Sequence, residues 1–185
     1  MSTRFQILVF TVASLGLIWL SRASLRDPRS HGFYRFFAWE AILVLTLMNL
    51  DHWFVAPFSL HQTLSWPLLI ISLVFIIRGV QLFRLVGKPD AGREAPSLVG
   101  IEKTTELVTV GLYRYIRHPF YSSLLFLGWG VFLKRPSLAG LALAAMATVS
   151  LLVTARIEEA ENSRFYGDDY RDYMRRTKMF IPFIL

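Results

Sequence analysis

The 185-residue chain contains no cysteine, which excludes disulfides, thiolate nucleophiles and cysteine-based metal sites. Histidine is scarce as well. Its four copies, His31, His52, His61 and His118, stand at no spacing that metal ligands share, so no metal is expected. A glycine-rich phosphate loop, a strand-borne dinucleotide fingerprint and a serine–histidine–acid signature are all missing. Neither nucleotide phosphoryl transfer nor serine hydrolysis is supported. Acid is in short supply too: 13 Asp and Glu against 20 Lys and Arg give a formal charge of +7. Most of the basic residues border apolar runs instead of forming an aromatic-interleaved soluble patch, so their expected partners are anionic membrane lipids and not nucleic acid.

Apolar residues are what the chain has in excess, at 54% of the total. A membrane-spanning helix needs about 20 mostly apolar residues, and such runs occur at 5–21, 36–57, 64–86, 119–133 and 137–155. The fold class expected is therefore an all-α integral membrane protein of about five transmembrane helices, the fourth of them short. The first run reads as a retained helix and not a leader, because only Arg4 precedes it and no small-residue cleavage pattern follows Leu20. Sixteen Lys and Arg fall in segments 21–35, 84–118 and 156–178, against Arg4, Lys134 and Arg135 on the other side and Arg78 within a span. Basic loops stay in the cytoplasm, which puts the N-terminus outside and the C-terminus inside.

One domain is expected: three N-terminal spans (1–86), a cytoplasmic loop (87–117), a helical hairpin (118–155) and a cytoplasmic tail (156–185). Span two follows an aromatic and basic belt, Phe33 to Phe37, and carries Glu40 about one turn inside. Arg78 shares a face of span three with Gln81 and Arg84. Gly87, Pro89, Gly92 and Pro96 break the loop that follows, whose second half is apolar enough to fold over a ligand. The hairpin turns at Leu133 to Ser137, with Ser137 as N-cap, and its small residues (Gly128, Gly130, Gly140, Ala142, Ala144, Ala145, Ala147) allow its arms to approach closely. After Ala155 charges return and Gly167 marks a kink.

Chemistry concentrates in two clusters. The run Gly111-Leu112-Tyr113-Arg114-Tyr115-Ile116-Arg117-His118-Pro119-Phe120-Tyr121 precedes the hairpin, and Glu158-Glu159 follows it. Nearly everything between is apolar, so both clusters belong at the same end of the hairpin and form one site. Glycosidase chemistry does not fit, since adjacent residues project about 100° apart on a helix and cannot flank one bond.

In order, Gly111-x-Tyr113, Arg117-His118-Pro119-x-Tyr121, Glu158-Glu159, Tyr166-Gly167-x-x-Tyr170-x-x-Tyr173 and Ile181-Pro182 resemble the isoprenylcysteine carboxyl methyltransferase and phospholipid methyltransferase superfamily, over residues 105–183. The resemblance implies a cytoplasmic cap binding S-adenosylmethionine through Thr105, Glu106, Leu107, Val108, Tyr113, Arg117, His118, Pro119, Phe120, Tyr121 and Glu158. It further implies a lipophilic methyl acceptor, with Arg78 and Arg156 as catalytic candidates that select the acceptor together with Glu40. Small prokaryotic members have a similar span count, which suggests the cytoplasmic membrane. One departure stands out: members that methylate a prenylcysteine carboxylate have an arginine one turn before the cofactor glutamate, where this chain has Thr154. A phospholipid or other small-molecule N- or S-methyltransferase is therefore an alternative. Membrane reductases that bind NADPH share a similar C-terminal module and are a second, and a non-catalytic lipid-binding scaffold is a third.

Overall fold

In a computed structural model the chain is described at residues 3–86 and 107–184. Thr105, Glu106 and the loop over 87–106 lie outside those residues. The molecule is all-helical: α1 (Thr3–Ser21), α2 (His31–Asn49), α3 (Leu60–Val86), α4 (Pro119–Phe132), α5 (Leu138–Tyr166) and α6 (Asp168–Arg176), with short 3₁₀ turns at Ser24–Arg26, Leu50–His52 and Gly111–Arg114. Among the described residues, α1, α2 with its 3₁₀ extension, α3 and α5 are long and apolar enough to cross a membrane. The fifth apolar run gives α4, only 14 residues, or about 21 Å against a hydrocarbon core of about 30 Å. The chain is an integral membrane protein whose described residues hold four such helices and a short apolar one.

Two helix boundaries differ from the sequence expectation in ways that matter for the site. α2 starts at His31 and not at residue 36, because the belt residues do more than line an interface: His31, Arg35 and Ala38 are buried on one face of the helix. α5 runs unbroken for 29 residues, about 43 Å, so the helix does not stop where its apolar stretch ends at Ala155. Ser137 caps its start, its Oγ accepting the Gly140 amide at 3.1 Å. The helix ends at Gly167, whose φ of +64° is a backbone conformation that L side chains resist. A Cβ there would meet nothing within 4 Å, so conformation alone asks for glycine.

α2 is the central helix. It packs most extensively against α5, while α4 packs most extensively against α3, so the two hairpin arms make their main contacts with other helices and not with each other. Ala38, Ala41 and Leu45 of α2 meet Ala155, Ala147 and Ala144 of α5 in three buried clusters. Gly130 of α4 faces α3, where a Cβ would lie 2.8 Å from Leu69 Cδ2. Ser65 and Ser72 of α3 donate to Gly130 O and Ser123 O of α4, both at 2.7 Å. Ala142 and Ala145 are exposed and take no part in this close packing.

At the end of the bundle where α2 leads into α3 and α4 into α5, Lys134 is buried. Its ammonium sits 3.4 Å from the Trp66 ring centroid and 5.3 Å from that of Trp53, and donates to Gln62 Oε1 at 3.0 Å. Gln62 in turn donates to His52 O and Lys134 O, and His61 Nδ1 donates to Leu133 O at 2.9 Å. This cation is therefore sequestered inside the protein, which separates it from the lipid-facing charges that a topology count assumes.

Candidate functional site

The opposite end is organised by a return of the chain. After α6, residues 177–181 run alongside 115–118, joined by a parallel bridge between Ile116 and Lys178. The Arg117 and His118 amides donate to Lys178 O and Met179 O at 2.8 and 3.2 Å, and Ser122 Oγ donates to Phe180 O at 2.8 Å. Tyr173 Oη donates to Tyr113 O at 2.6 Å. Pro119 then opens α4 at its first position, where the missing N–H is harmless. His118 precedes it in a non-helical conformation without capping the helix through its side chain.

The His118 ring is buried between two carboxylates of α5. Nε2 lies 3.3 Å from Glu159 Oε1 and Nδ1 lies 3.8 Å from Glu158 Oε2, while its face stacks on the Tyr121 ring at 5.3 Å. Neighbouring positions on one helix send the two acids to different partners. Glu158 Oε2 accepts the Tyr121 hydroxyl at 2.5 Å. Glu159 Oε1 accepts Arg117 Nε at 2.6 Å. The Arg117 Nη1 also donates to Met174 O and Thr177 O, holding the carbonyl end of α6 as a cation at a helix C-terminus does. Two of its donor nitrogens are thus committed within the protein.

α2 supplies a third wall. His31 is fully buried, and its Nδ1 lies 2.6 Å from Glu161 Oε2, one turn beyond Glu158. The Arg35 guanidinium, also buried, sits 4.9 Å over the Trp39 ring and is close enough to Glu158 to interact with it electrostatically. His31 Nε2 is buried and without a hydrogen-bond partner among the described residues. Tyr170 of α6 borders the same cluster: burial, and then the charge of Glu158, push its phenol well above the ordinary range. Burial does the same to Tyr173.

Tyr113, His118, Pro119 and Tyr121 are buried, Val108 is buried near the start of the second described segment, and Leu107, Arg117, Phe120 and Glu158 are half-buried. Phe120 packs toward α3, within 3.4 Å of where a Gly79 Cβ would stand. Arg78 on α3 and Arg156 on α5 are exposed. Glu40 accepts Ser14 Oγ of α1 at 2.6 Å and serves the contact between α1 and α2. These three are not gathered with His118 and Glu158. Thr154 is buried with its hydroxyl on Ser150 O at 2.7 Å, and the buried cation near Glu158 comes instead from α2. His31, Arg35 and Glu161 were not singled out by sequence reasoning; the signals available were the i,i+4 pair on α2 and the i,i+3 pair of acids on α5. Among the described residues no cluster of three or more His, Asp or Glu is arranged to hold a metal ion.

The donor set suits a ligand that carries positive charge and hydroxyls. Glu158 is a partly exposed carboxylate with one oxygen on Tyr121 and the other in no hydrogen bond among the described residues. A buried imidazole nitrogen beside it awaits a partner, and buried phenols give apolar walls. S-adenosylmethionine, with its ammonium, ribose diol and sulfonium, fits this set.

The family model for phospholipid methyltransferase matches residues 91–169. A methanethiol S-methyltransferase of Crocosphaera subtropica is 31% identical over 156 residues, covering 80% of this chain and 55% of that protein. The protein-S-isoprenylcysteine O-methyltransferase of Xenopus laevis is 30% identical over 175 residues, covering 87% and 58%. A probable protein-S-isoprenylcysteine O-methyltransferase of Oryza sativa subsp. indica is 29% identical over 150 residues, covering 78% and 77%. The chain spans about half the length, or less, of the methanethiol S-methyltransferases that it matches. No solved structure matches it. Buried tyrosine, histidine and paired glutamates at one end of an apolar helical bundle, together with these likenesses, place the chain in the isoprenylcysteine carboxyl methyltransferase and phospholipid methyltransferase superfamily.

Proposed function

We propose that this protein is a membrane methyltransferase that takes S-adenosylmethionine from the cytoplasm and methylates a lipophilic acceptor arriving from the bilayer. The observation that carries the reading is the meeting of Glu158 with Tyr121 and His118 at one end of the bundle. Glu158 would hold the ribose diol or ammonium of the cofactor, with His118, fixed by Glu159, beside it. Buried Tyr113, Val108 and Tyr121 would enclose the adenine. Thr105, Glu106 and Leu107 belong to the same proposed cover, and Arg117 would act mainly by tying α6 and Glu159 into place.

When bound, the cofactor supplies an electrophilic methyl group: the acceptor's lone pair forms the new bond while the sulfonium–carbon bond breaks with its electron pair to sulfur. The protein needs no nucleophile of its own, so its part is to hold two reactants in line and keep water out. Tyr121 orients Glu158, and Glu159 fixes the proton on His118 Nε2. The lopsided Lys and Arg distribution supports placing this end in the cytoplasm. Arg78, Arg156 and Glu40 would influence the acceptor only from outside the buried cluster. Methanethiol and prenylcysteine, named in the relatives, mark the range of acceptor heads to test.

The test is transfer of labelled methyl from S-adenosylmethionine to extracted lipids and thiols by the purified protein in nanodiscs, alongside calorimetric titration with S-adenosylmethionine and NADPH. Saturable S-adenosylmethionine binding, lost in Glu158→Gln, and a labelled apolar product are expected. Binding of NADPH in preference would overturn the reading.

A further inference from the structure

Resting on the methyl-transfer reading, we propose that His31, held by Glu161, is the base that takes a proton from the methyl acceptor, and that the acceptor is a thiol. The imidazole is fully buried. Its Nδ1 lies 2.6 Å from Glu161 Oε2, so the neutral ring carries its proton on Nδ1, and Nε2, on the far edge of the ring, keeps a lone pair. No group among the described residues hydrogen-bonds that nitrogen. Buried polar atoms are rarely left open, and one beside a ligand site is placed to meet a ligand's proton.

The surroundings hold that atom at the site. Ser30 Oγ donates to Asp27 O and Ser24 O at 2.8 and 3.2 Å, which ties down the residue before α2 and with it the helix turn that presents His31. Glu158 precedes Glu161 by three positions on α5, hence on the same face and about 4.5 Å away along the axis. The charged groups that act on the imidazole are these two carboxylates and Arg35, four positions along α2. Among the described residues no other histidine offers this arrangement. His118 has a carboxylate beside each ring nitrogen, while His52 and His61 lie at the Lys134 end. The phenols do not compete: Tyr121 donates to Glu158, and Tyr170 is raised far above the ordinary range and keeps its proton.

Proton removal decides the class of acceptor. A carboxylate is already ionised and gives up no proton on methylation, so it would leave Nε2 idle; a thiol must lose one, because the thiolate is the nucleophile. The S–H proton passes to Nε2 as the sulfur lone pair forms the new bond to the methyl carbon, and the sulfonium–carbon bond breaks with its electron pair to the cofactor's sulfur. The products are a methyl thioether, S-adenosylhomocysteine and an imidazolium. Glu161 and Glu158 offset that charge until the thioether leaves and Nε2 gives its proton to water. A neutral thiol also enters a buried site at little cost, whereas an ammonium acceptor would surrender its hydration there.

The experiment compares two acceptors for the full chain in phosphatidylcholine nanodiscs: octanethiol, protonated near neutral pH, and thiophenol, largely ionised there. In His31→Asn the new side chain keeps an N–H for Glu161 at the Nδ1 position and has no atom at Nε2. It should lower kcat/KM for octanethiol about hundredfold, against only a few-fold for thiophenol. Equal losses on both thiols would mean that His31 is structural and would overturn the proposal. Glu161→Gln, which keeps the hydrogen bond and removes the charge, should show the same split in smaller measure. A readout without turnover uses S-adenosylhomocysteine in place of the cofactor: octanethiol bound to the wild type should show the ultraviolet absorption of a thiolate, and His31→Asn should not. Retained calorimetric binding of S-adenosylmethionine shows that the variants fold. No thiolate in the wild type overturns the base, and methylation of dodecanoate or dodecylamine in preference to octanethiol overturns the thiol while methyl transfer stands. A wild type that forms the thiolate but moves no labelled methyl upholds His31 and sinks the methyl-transfer reading instead.

Discussion

Both ends of the bundle bury a cation, and they do so by different means. Lys134 is held by two indole faces and a neutral amide, so its charge is met by groups that have nothing further to give. Arg117 and Arg35 lie among carboxylates, an imidazole and phenols, several of which retain exposure or an unused atom. Cation–π contacts reach about 2 kcal/mol or more when desolvated, enough to fasten two turns together where no chemistry is needed. At the polar end His31 Nε2 has no hydrogen bond among the described residues and Glu158 stays partly exposed, and groups of that kind are what a ligand can meet. One end closes the bundle, and the other is the end proposed to bind.

Substitutions can break that contrast, and the largest effect is expected at the closed end. Lys134→Ala empties the space between Trp53 and Trp66 and should cost about 3 kcal/mol, read as a lower thermal midpoint in detergent, while cofactor affinity of the folded fraction is kept. Lys134→Met restores volume without charge and should recover only the packing part of the loss; full recovery would mean that volume, and not the charge, is the fastening. At the other end Glu158→Gln removes one charge-assisted contact and should weaken S-adenosylmethionine binding by about 2 kcal/mol, or roughly thirtyfold, with the midpoint nearly unchanged. A midpoint that falls as far as in Lys134→Ala would mean that Glu158 is structural.

Smaller effects sharpen the comparison. Gly167→Ala forces a side chain into a positive φ and should destabilise by about 1 to 2 kcal/mol, seen first as faster hydrogen exchange in α6. Ser137→Ala removes the cap of α5 and should lose about 1 kcal/mol. The two ends should also respond to alkali with opposite signs. Burial lowers the Lys134 ammonium from its ordinary 10.5, so the unfolded chain holds that proton longer and stability rises as pH climbs toward 10.5. Tyr170 and Tyr173 are raised above their ordinary 10.0, so stability present below pH 10 is lost as pH passes beyond it. Denaturant melts against pH should show a shallower rise in Lys134→Met and a shallower fall in Tyr173→Phe.

Much of the fold was legible because its signals are local. Apolar runs name the helices, and Ser137 and Gly167 punctuate α5. The pairing of Tyr121 and His118 with Glu158 was legible too, since a hairpin of apolar helices must bring its flanks to one end. What stayed hidden depends on which helix neighbours which. Small residues on α5 announce close packing but do not say that α2 is the partner, and so His31 and Arg35 gave no sign of standing opposite Glu161 and Glu158. Arg78, within an apolar run, and Arg156, just after one, draw attention as cations, and both lie exposed. Lys134 counts as a loop charge in the sequence and is buried in the fold.

The pairing of residues 115–118 with 177–181 has a consequence for how the protein is made. The second strand of that pair comes after every apolar helix in the chain, so a nascent polypeptide can insert α1 through α5 while the ends of its cluster remain unjoined. Ser122, Arg117 and His118 find their carbonyl partners on Thr177, Lys178, Met179 and Phe180 only afterwards. Membrane insertion and site assembly are thereby placed in sequence, and a chain stalled during translocation holds its helices without yet holding a pocket.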